Sequence, residues 1–333
     1  AYHFHLPLAS KNPIVMFRNV GRLRRLITEH KIDILHARSR APAWSAYFAC
    51  KNTNAHFMTT CHAPYNINGE PKRLYNSVVT KGERVIAISH YVADYLKKEY
   101  EIEESKIRII PRGIPMERFH PTSVTAQRMV TLANEWRIPD GANLLILPGR
   151  LTRWKGHHVL INAMARVKNK DLFCVIIGSD QGRTEYRKEL EDLINSKGLS
   201  QQVRIVNHCN DMPAAYMMAS IVVCPSTDPE GFGRVPVEAQ AMGRPIIASN
   251  HGGATETVIH GQTGWLVKPG SSEELAQAIH EAMSLNATQR AMLGTRAMAH
   301  IAENFTKDQM ADKTLDLYAE ILRGEILPEQ KTQ

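Results

Sequence analysis

Glu230 and Glu238 stand eight residues apart in D-P-E-G-F-G-R-V-P-V-E-A-Q-A-M-G (228–243), bracketing a glycine loop that leads into a helix. Gly231 and Gly233 carry no side chain, so backbone N–H groups there can approach a ligand oxygen closely. Pro236 suits a first helical turn, and the leading N–H groups of that turn are unsatisfied and partly positive. A phosphate fits such an end, while carboxylates on either side accept hydrogen bonds from hydroxyls. A sugar on a nucleotide presents that combination: hydroxyls, diphosphate, ribose. Two glutamates at this spacing are also common in helix-rich chains, so the reading depends on their neighbours.

The strongest neighbour lies upstream. Residues 143–148 (N-L-L-I-L-P) read as a buried strand, followed by G-R-L-T-R-W-K-G (149–156) and an apolar helix from about His157. Ligands of open parallel sheets bind at the carboxyl ends of strands, where this turn falls. Arg150 and Lys155 are five apart in it and can close on one anion. A cation about 4 Å from a phosphate oxygen attracts it by about 4 kcal/mol at an effective dielectric near 20. A helix end supplies less, usually under about 1 kcal/mol. Arg150 and Lys155 would therefore dominate the electrostatics of a bound diphosphate. Taken alone, the segment also reads as a solvated basic turn.

Short apolar runs alternate with longer periodic ones along the whole chain, which predicts parallel sheets with crossover helices. In the first half the spacing predicts strands at 32–36, 57–60, 85–88 and 107–110. Helices are expected at 12–30, 42–51, 71–81 and 89–99, the last capped by Ser89. A polar, helix-prone stretch from Pro121 to Trp136 and a turn at 139–141 read as a junction. Beyond it, strands are expected at 143–148, 173–178, 203–206, 221–225, 245–248 and 264–267. Helices intervene near 157–167, 185–197 and 213–219, and follow at 272–285, 289–304 and 307–322, with 329–333 frayed.

Three separated motifs, in order over about 130 residues, resemble the retaining glycosyltransferases of family 4: G-R-L-T-R-W-K-G, E-G-F-G-R-V-P-V-E-A, and P-I-I-A-S-N-H-G-G-A-T-E-T-V-I-H-G-Q-T-G-W-L-V-K-P-G (245–270). The resemblance implies the α/β GT-B fold, two Rossmann-like parallel-sheet domains facing a central cleft. On that pattern residues 1–138 form an acceptor-side domain, 139–305 a nucleotide-sugar domain, and 306–333 a terminal helix crossing back, plus a tail. It implies transfer of a hexose-type sugar from a nucleotide-sugar donor to a glycan or lipid-linked acceptor. The anomeric configuration is kept, and neither metal nor any other cofactor takes part.

The family pattern gives Glu230 the transferred sugar's hydroxyls and Glu238 the ribose. Arg150, Lys155 and the N–H groups of Gly231, Phe232 and Gly233 take the diphosphate, and the base rests near His208 and Cys209. His62, in T-T-C-H-A-P, resembles the family histidine that faces the donor sugar, although a histidine after a strand is often structural. Tyr65 and Asn66 are acceptor-side candidates in the 62–69 lip. Arg112 stands where the family usually has Asn, and its role is open. Gly252, Gly253, Thr255 and Glu256 read equally as a phosphate contact or as turn chemistry. The chain opens where the family's first domain is already half complete, without the usual first strand and glycine-rich loop. The expectation is that about 50 residues of that domain are absent. No D-x-D pair is present for a metal-bridged diphosphate. The mechanism implied is same-face attack, a leaving phosphate oxygen taking the acceptor's proton. Alternatives are an epimerase or phosphorylase of the same fold, or a non-catalytic nucleotide-sugar binder because of the missing segment.

The 333 residues are normal for two domains. Five cysteines include no C-x-x-C pair, which points to a reducing cytosol. No apolar run approaches the roughly 18 residues of a membrane span. Residues 1–136 carry 20 Lys+Arg against 11 Asp+Glu, the remainder 21 against 22. The first half therefore holds the whole positive excess. Arg18, Arg22 and Arg25 share one helix face while Val20, Leu23 and Ile27 occupy another. That basic face suits an anionic membrane surface or an acidic acceptor, at about 1 kcal/mol per basic residue; an ordinary solvated face is the equal alternative. Cell-envelope polysaccharide or lipopolysaccharide synthesis, with peripheral attachment to the inner leaflet, is the setting this suggests. No aromatic series interleaves the basic residues, so nucleic acid is not an expected partner.

Overall fold

A computed structural model describes residues 2–167 and 169–324 of the chain. Unbroken apolar runs become strands covered on both faces, as a parallel sheet between helices requires. The segment L-F-C-V-I-I is one of them, buried at all of its positions. The described residues divide into two units.

The first unit comprises residues up to Arg112 and from Asp308 onward. Its elements are α1 (Pro13–His30), β1 (Ile34–Ala37), α2 (Arg40–Cys50), β2 (His56–Cys61), α3 (Glu70–Asn76), β3 (Arg84–Ala87), α4 (His90–Tyr100) and β4 (Ile107–Ile109). The strands lie in the order β1-β2-β3-β4, all parallel. Asn12 caps α1 by accepting from the N–H groups of Ile14 and Val15. Ser89 caps α4 by accepting from Val92, as its position after a strand predicts. Val20, Leu23 and Ile27 of α1 are buried, and Arg18, Arg22 and Arg25 are exposed.

The second unit spans residues 113–307. It contains α5 (Ala126–Trp136), β5 (Asn143–Pro148), α6 (His157–Arg166), β6 (Leu172–Ile177), α7 (Thr184–Ser196), β7 (Val203–Val206), α8 (Met212–Met218), β8 (Ile221–Cys224), α9 (Arg234–Ala241), β9 (Ile246–Ser249), α10 (Ala254–Thr257), β10 (Trp265–Val267), α11 (Ser272–Ser284) and α12 (Ala287–Asn304). Its six strands run β10-β9-β8-β5-β6-β7, all parallel. The order reverses between β5 and β8. That is the doubly wound arrangement, whose ligand crevice opens at the reversal.

The unit boundary differs from the expected one near residue 138. Residues 113–138 belong with the second unit, because long-range contacts hold them there. Ile114 N–H donates to Phe305, and Lys307 N–H donates to Ile114. A Cβ at Gly113 would sit 2.1 Å from the Thr306 carbonyl, so only glycine permits that approach. Further on, Arg128 of α5 pairs with Asp211 at 2.5 Å, and Leu132 and Trp136 are buried.

The last helix, α13 (Lys307–Arg323), belongs from Asp308 onward to the first unit. Its Leu317 and Ile321 pack with Met58, Ile86 and Ile110. Beside them Glu320, 3 % exposed, accepts from Arg84 at 2.7 Å and from Arg108 at 3.0 Å. Burial works to raise this carboxyl, but hydrogen bonds from Arg108 and Arg84 outweigh it and hold it below the usual carboxylate range. The expected fraying at 329–333 lies outside the described residues.

Replacing Glu320 with Gln removes the counter-charge of two arginines and costs about 3 kcal/mol of stability at neutral pH. A carboxyl depressed by folding stabilises above its unfolded pKa of about 4.3 and loses that contribution as pH falls through the folded value. The Tm gap between wild type and Glu320→Gln therefore narrows between about pH 5 and pH 3. A gap that holds constant over that range contradicts the assignment.

Candidate functional site

Two loops meet at the reversal of the second sheet, one leaving β5 and the other leaving β8. Glycine makes the meeting possible. Gly156 has φ +72°, and a Cβ there would lie 1.8 Å from the Pro225 carbonyl oxygen. The loops are then tied by the Thr227 N–H, which donates to the Trp154 carbonyl at 2.7 Å. This contact sets Lys155, at the end of the first loop, against Glu230, in the second.

Lys155 Nζ donates to Glu230 Oε1 at 2.7 Å. Ser226 Oγ donates to the same oxygen at 2.7 Å, and Cys224 Sγ at 3.3 Å. Both charged side chains are largely enclosed, 11 % and 17 % exposed. The ammonium also lies 4.6 Å from the centroid of the Trp154 ring. Burial works to raise the Glu230 carboxyl; the Lys155 charge and the hydrogen bonds from Lys155, Ser226 and Cys224 outweigh it, so the group stays below the usual carboxylate range. Glu230 is therefore an anion at neutral pH. An enclosed ion pair is a poor way to gain stability, since desolvation offsets most of the attraction. An enclosed pair of this kind at a strand reversal, where open parallel sheets bind ligands, marks a candidate functional site.

The second glycine pair supports the same loop. Gly253 N–H donates to the Glu230 carbonyl at 2.9 Å. A Cβ at Gly252 would meet that carbonyl oxygen at 2.5 Å, and one at Gly253 would meet Phe232 Cα at 2.5 Å. Close packing under the Glu230 loop is thus a role for Gly252 and Gly253 beyond the two that the sequence leaves open. His251 Nε2 donates to the Ser226 carbonyl at 2.9 Å and braces the loop from the side. The Phe232 side chain is buried against Phe305, so Phe232 faces the core and only its backbone is available to a ligand. Gly233, with φ +78°, begins α9.

Glu238, one turn into α9, forms a separate cluster. Tyr216 Oη donates to Glu238 Oε2 at 2.8 Å, and Arg234 donates to Oε1 at 2.6 Å. Glu238 is 6 % exposed and Tyr216 completely buried. Burial, then the adjacent Glu238 charge, raises the Tyr216 hydroxyl well above its ordinary value, so it remains a donor. Arg150 follows β5 and is exposed to solvent, outside the Lys155–Glu230 pair. Of the four side chains singled out at the start, two touch directly, Glu238 has its own partners, and Arg150 lies in the same loop as Lys155. His208 is exposed and Cys209 buried at the end of β7. Ser226, Tyr216 and Arg234 escape the sequence reading. Arg234 was signalled by its spacing, four residues before Glu238 on one helix.

The first-unit candidates follow β2. His62 is half-buried, and its Nδ1 is buried without a hydrogen-bond partner. Burial, then the charges of Arg112 and Arg38, lower it to about 4, so the ring is neutral at pH 7. Tyr65 lies under the Arg40 guanidinium at 4.1 Å, and its carbonyl accepts from Tyr95 Oη at 2.7 Å. Asn66 is exposed; its carbonyl accepts from Asn76 and its side chain accepts from the Asn68 N–H. Among the described residues no group of three or more His, Cys, Asp or Glu side chains gathers as a metal site, and no helix is long and apolar enough to cross a membrane. All five cysteines are unpaired and buried.

Comparison with known proteins places this geometry. Residues 131–300 match the family model described as glycosyl transferases group 1, and residues 1–118 match the model of glycosyltransferase family 4. The chain is 31 % identical over 256 residues to the D-inositol 3-phosphate glycosyltransferase of Streptomyces bingchenggensis, covering 74 % of this chain. It spans about half the length of that curated relative, 55 %. A solved glycosyltransferase from Rickettsia africae ESF-5 superposes with a TM-score of 0.89 at 36 % identity, over 97 % of this chain and 86 % of that one. Anabaena HepE, solved in complex with UDP, superposes with a TM-score of 0.80 at 25 % identity, over 92 % and 82 %.

Alanine at position 156 tests how the two loops are joined. Gly156→Ala forces either the left-handed backbone or the Pro225 contact to yield, at a cost of about 2 kcal/mol or more. The expected result is a lowered Tm and, in a crystal structure of the variant, Lys155 separated from Glu230. An unchanged Tm with the pair intact contradicts this account of the site.

Proposed function

The chain belongs to the group 1 glycosyl transferases, its two parallel-sheet units having the GT-B fold, and on that premise we propose that it moves a hexose-type sugar from a nucleotide-sugar donor to a glycan or lipid-linked acceptor. The observation that carries the proposal is the Lys155–Glu230 pair at the carboxyl ends of β5 and β8. Lys155 and Arg150 supply fixed positive charge for the donor diphosphate, and the start of α9 adds N–H groups beside them. Glu230, an anion held from three sides, accepts from hydroxyls of the transferred sugar. Glu238 accepts from the ribose, and the base rests by His208 and Cys209.

In the proposed reaction the bond from the anomeric carbon to the leaving phosphate oxygen breaks. The acceptor oxygen bonds to that carbon on the same face. Its proton passes to the phosphate oxygen, so configuration is retained and no protein group is alkylated. The developing charge on the leaving diphosphate falls to Lys155 and Arg150, without a metal. Tyr65, Asn66 and Arg112 are proposed to serve the acceptor side, and His62 to face the donor sugar, where a neutral ring suits contact with hydroxyls. A lipid-linked acceptor at the inner leaflet of the plasma membrane is supported by the exposed Arg18, Arg22 and Arg25 on α1, with Phe17 beside them 80 % exposed. Such an acceptor fits cell-envelope polysaccharide or lipopolysaccharide synthesis by a cytoplasmic enzyme.

A thermal-shift panel of UDP-, GDP- and ADP-sugars identifies the donor, and product analysis with and without acceptor separates transfer from epimerisation or phosphorolysis. With that donor, Lys155→Ala lowers kcat/KM by about a hundredfold, about 2.7 kcal/mol of transition-state stabilisation. A folded Lys155→Ala protein with wild-type kcat/KM removes Lys155 from the site.

A further inference from the structure

Glu238 comes from α9 and Tyr216 from α8, separate elements joined by one hydrogen bond of 2.8 Å. The Tyr216 hydroxyl is fully buried, where an unpartnered donor is costly, and it is spent on Glu238 Oε2. Arg234 takes Oε1 at 2.6 Å, so the carboxylate is held at both oxygens and its rotation is blocked. A carboxylate has about four lone-pair positions, and these two bonds leave about two. Two is the number a vicinal diol requires.

Tyr216 is itself rigidly placed. Its ring packs against Phe119 with centroids 6.2 Å apart, and Asp211, which caps α8, pairs with Arg128 of α5 at 2.5 Å. Nothing frees the ring to serve a ligand directly. We infer that Tyr216 is a positioning residue: it orients the Glu238 carboxylate so that its remaining lone pairs select the ribose diol of the donor nucleotide over a deoxyribose. This deepens the proposed function and rests on its assignment of Glu238 to the ribose.

The test is calorimetric binding of UDP, GDP and ADP, each against its 2′-deoxy counterpart, to wild type, Tyr216→Phe, Tyr216→Met, Tyr216→His and Glu320→Gln. For whichever base binds, wild type prefers the ribonucleotide by about tenfold, one hydrogen bond's worth. Tyr216→Phe keeps the ring volume and reduces that preference to about threefold or less, mainly by weakening the ribonucleotide. Tyr216→His, which retains an N–H donor, recovers part of it. Glu320→Gln, in the first unit and outside this cluster, lowers Tm and leaves the ratio intact, a separation that a purely structural Tyr216 would not give. A Tyr216→Phe protein that folds and keeps the wild-type ratio overturns the inference while the Glu238 assignment stands. If Tyr216→Phe does not fold, Tyr216→Met, which also lacks the donor, takes its place, and a folded Tyr216→Met protein with the wild-type ratio overturns it equally. A wild type that binds both sugars alike removes the Glu238 assignment, and the inference falls with it.

Discussion

An ammonium and a carboxylate, Lys155 and Glu230, are enclosed together where the strand order of the second sheet reverses. Charges are expensive to take out of water, and an apolar pair of similar volume would serve stability as well or better. The surrounding structure is arranged around holding them: Gly156 lets one loop reach the end of β8, and Gly252 and Gly253 let a third segment pack beneath the other. Ser226 and Cys224 then donate to the carboxylate from below. Remove any of these and the charges lose either their partner or their fixed position.

The same economy governs Glu238. Its two oxygens are held by Tyr216 and Arg234, and Tyr216 is in turn fixed by Phe119 and by the capping of α8. The two glutamates are thus positioned by different means, one by a cation across two loops and the other by a buried phenol across two helices. Each accepts hydrogen bonds in the structure, the role that the proposed recognition of sugar hydroxyls requires. Preorganised charge of this kind does not have to reorganise when a diphosphate leaves, which is how such sites lower a barrier.

Much of this was legible in the chain. The strands at 143–148 and 203–206 coincide with β5 and β7, because uninterrupted apolar runs bounded by polar turns leave little choice. Ser89 declared itself as a helix cap, and the G-R-L-T-R-W-K-G and E-G-F-G-R-V-P-V-E segments marked the site. Other features depend on tertiary contact. No local pattern places Tyr216 against Glu238, because the two lie 22 residues apart on separate helices and meet only in the fold. The unit boundary moved from about 138 to 112 because Ile114 pairs with residues nearly two hundred positions away. Burial is equally hidden from the spacing: Arg150 stands in solvent while Lys155, five residues on in the same loop, is enclosed.

The most direct measurement is a crystal structure of the full-length protein with the nucleotide-sugar that binds it. The account predicts a diphosphate oxygen within hydrogen-bond distance of Lys155 Nζ, with Glu230 on hydroxyls of the sugar and Glu238 on the ribose. A donor seated elsewhere, with the Lys155–Glu230 bond still at 2.7 Å, contradicts it.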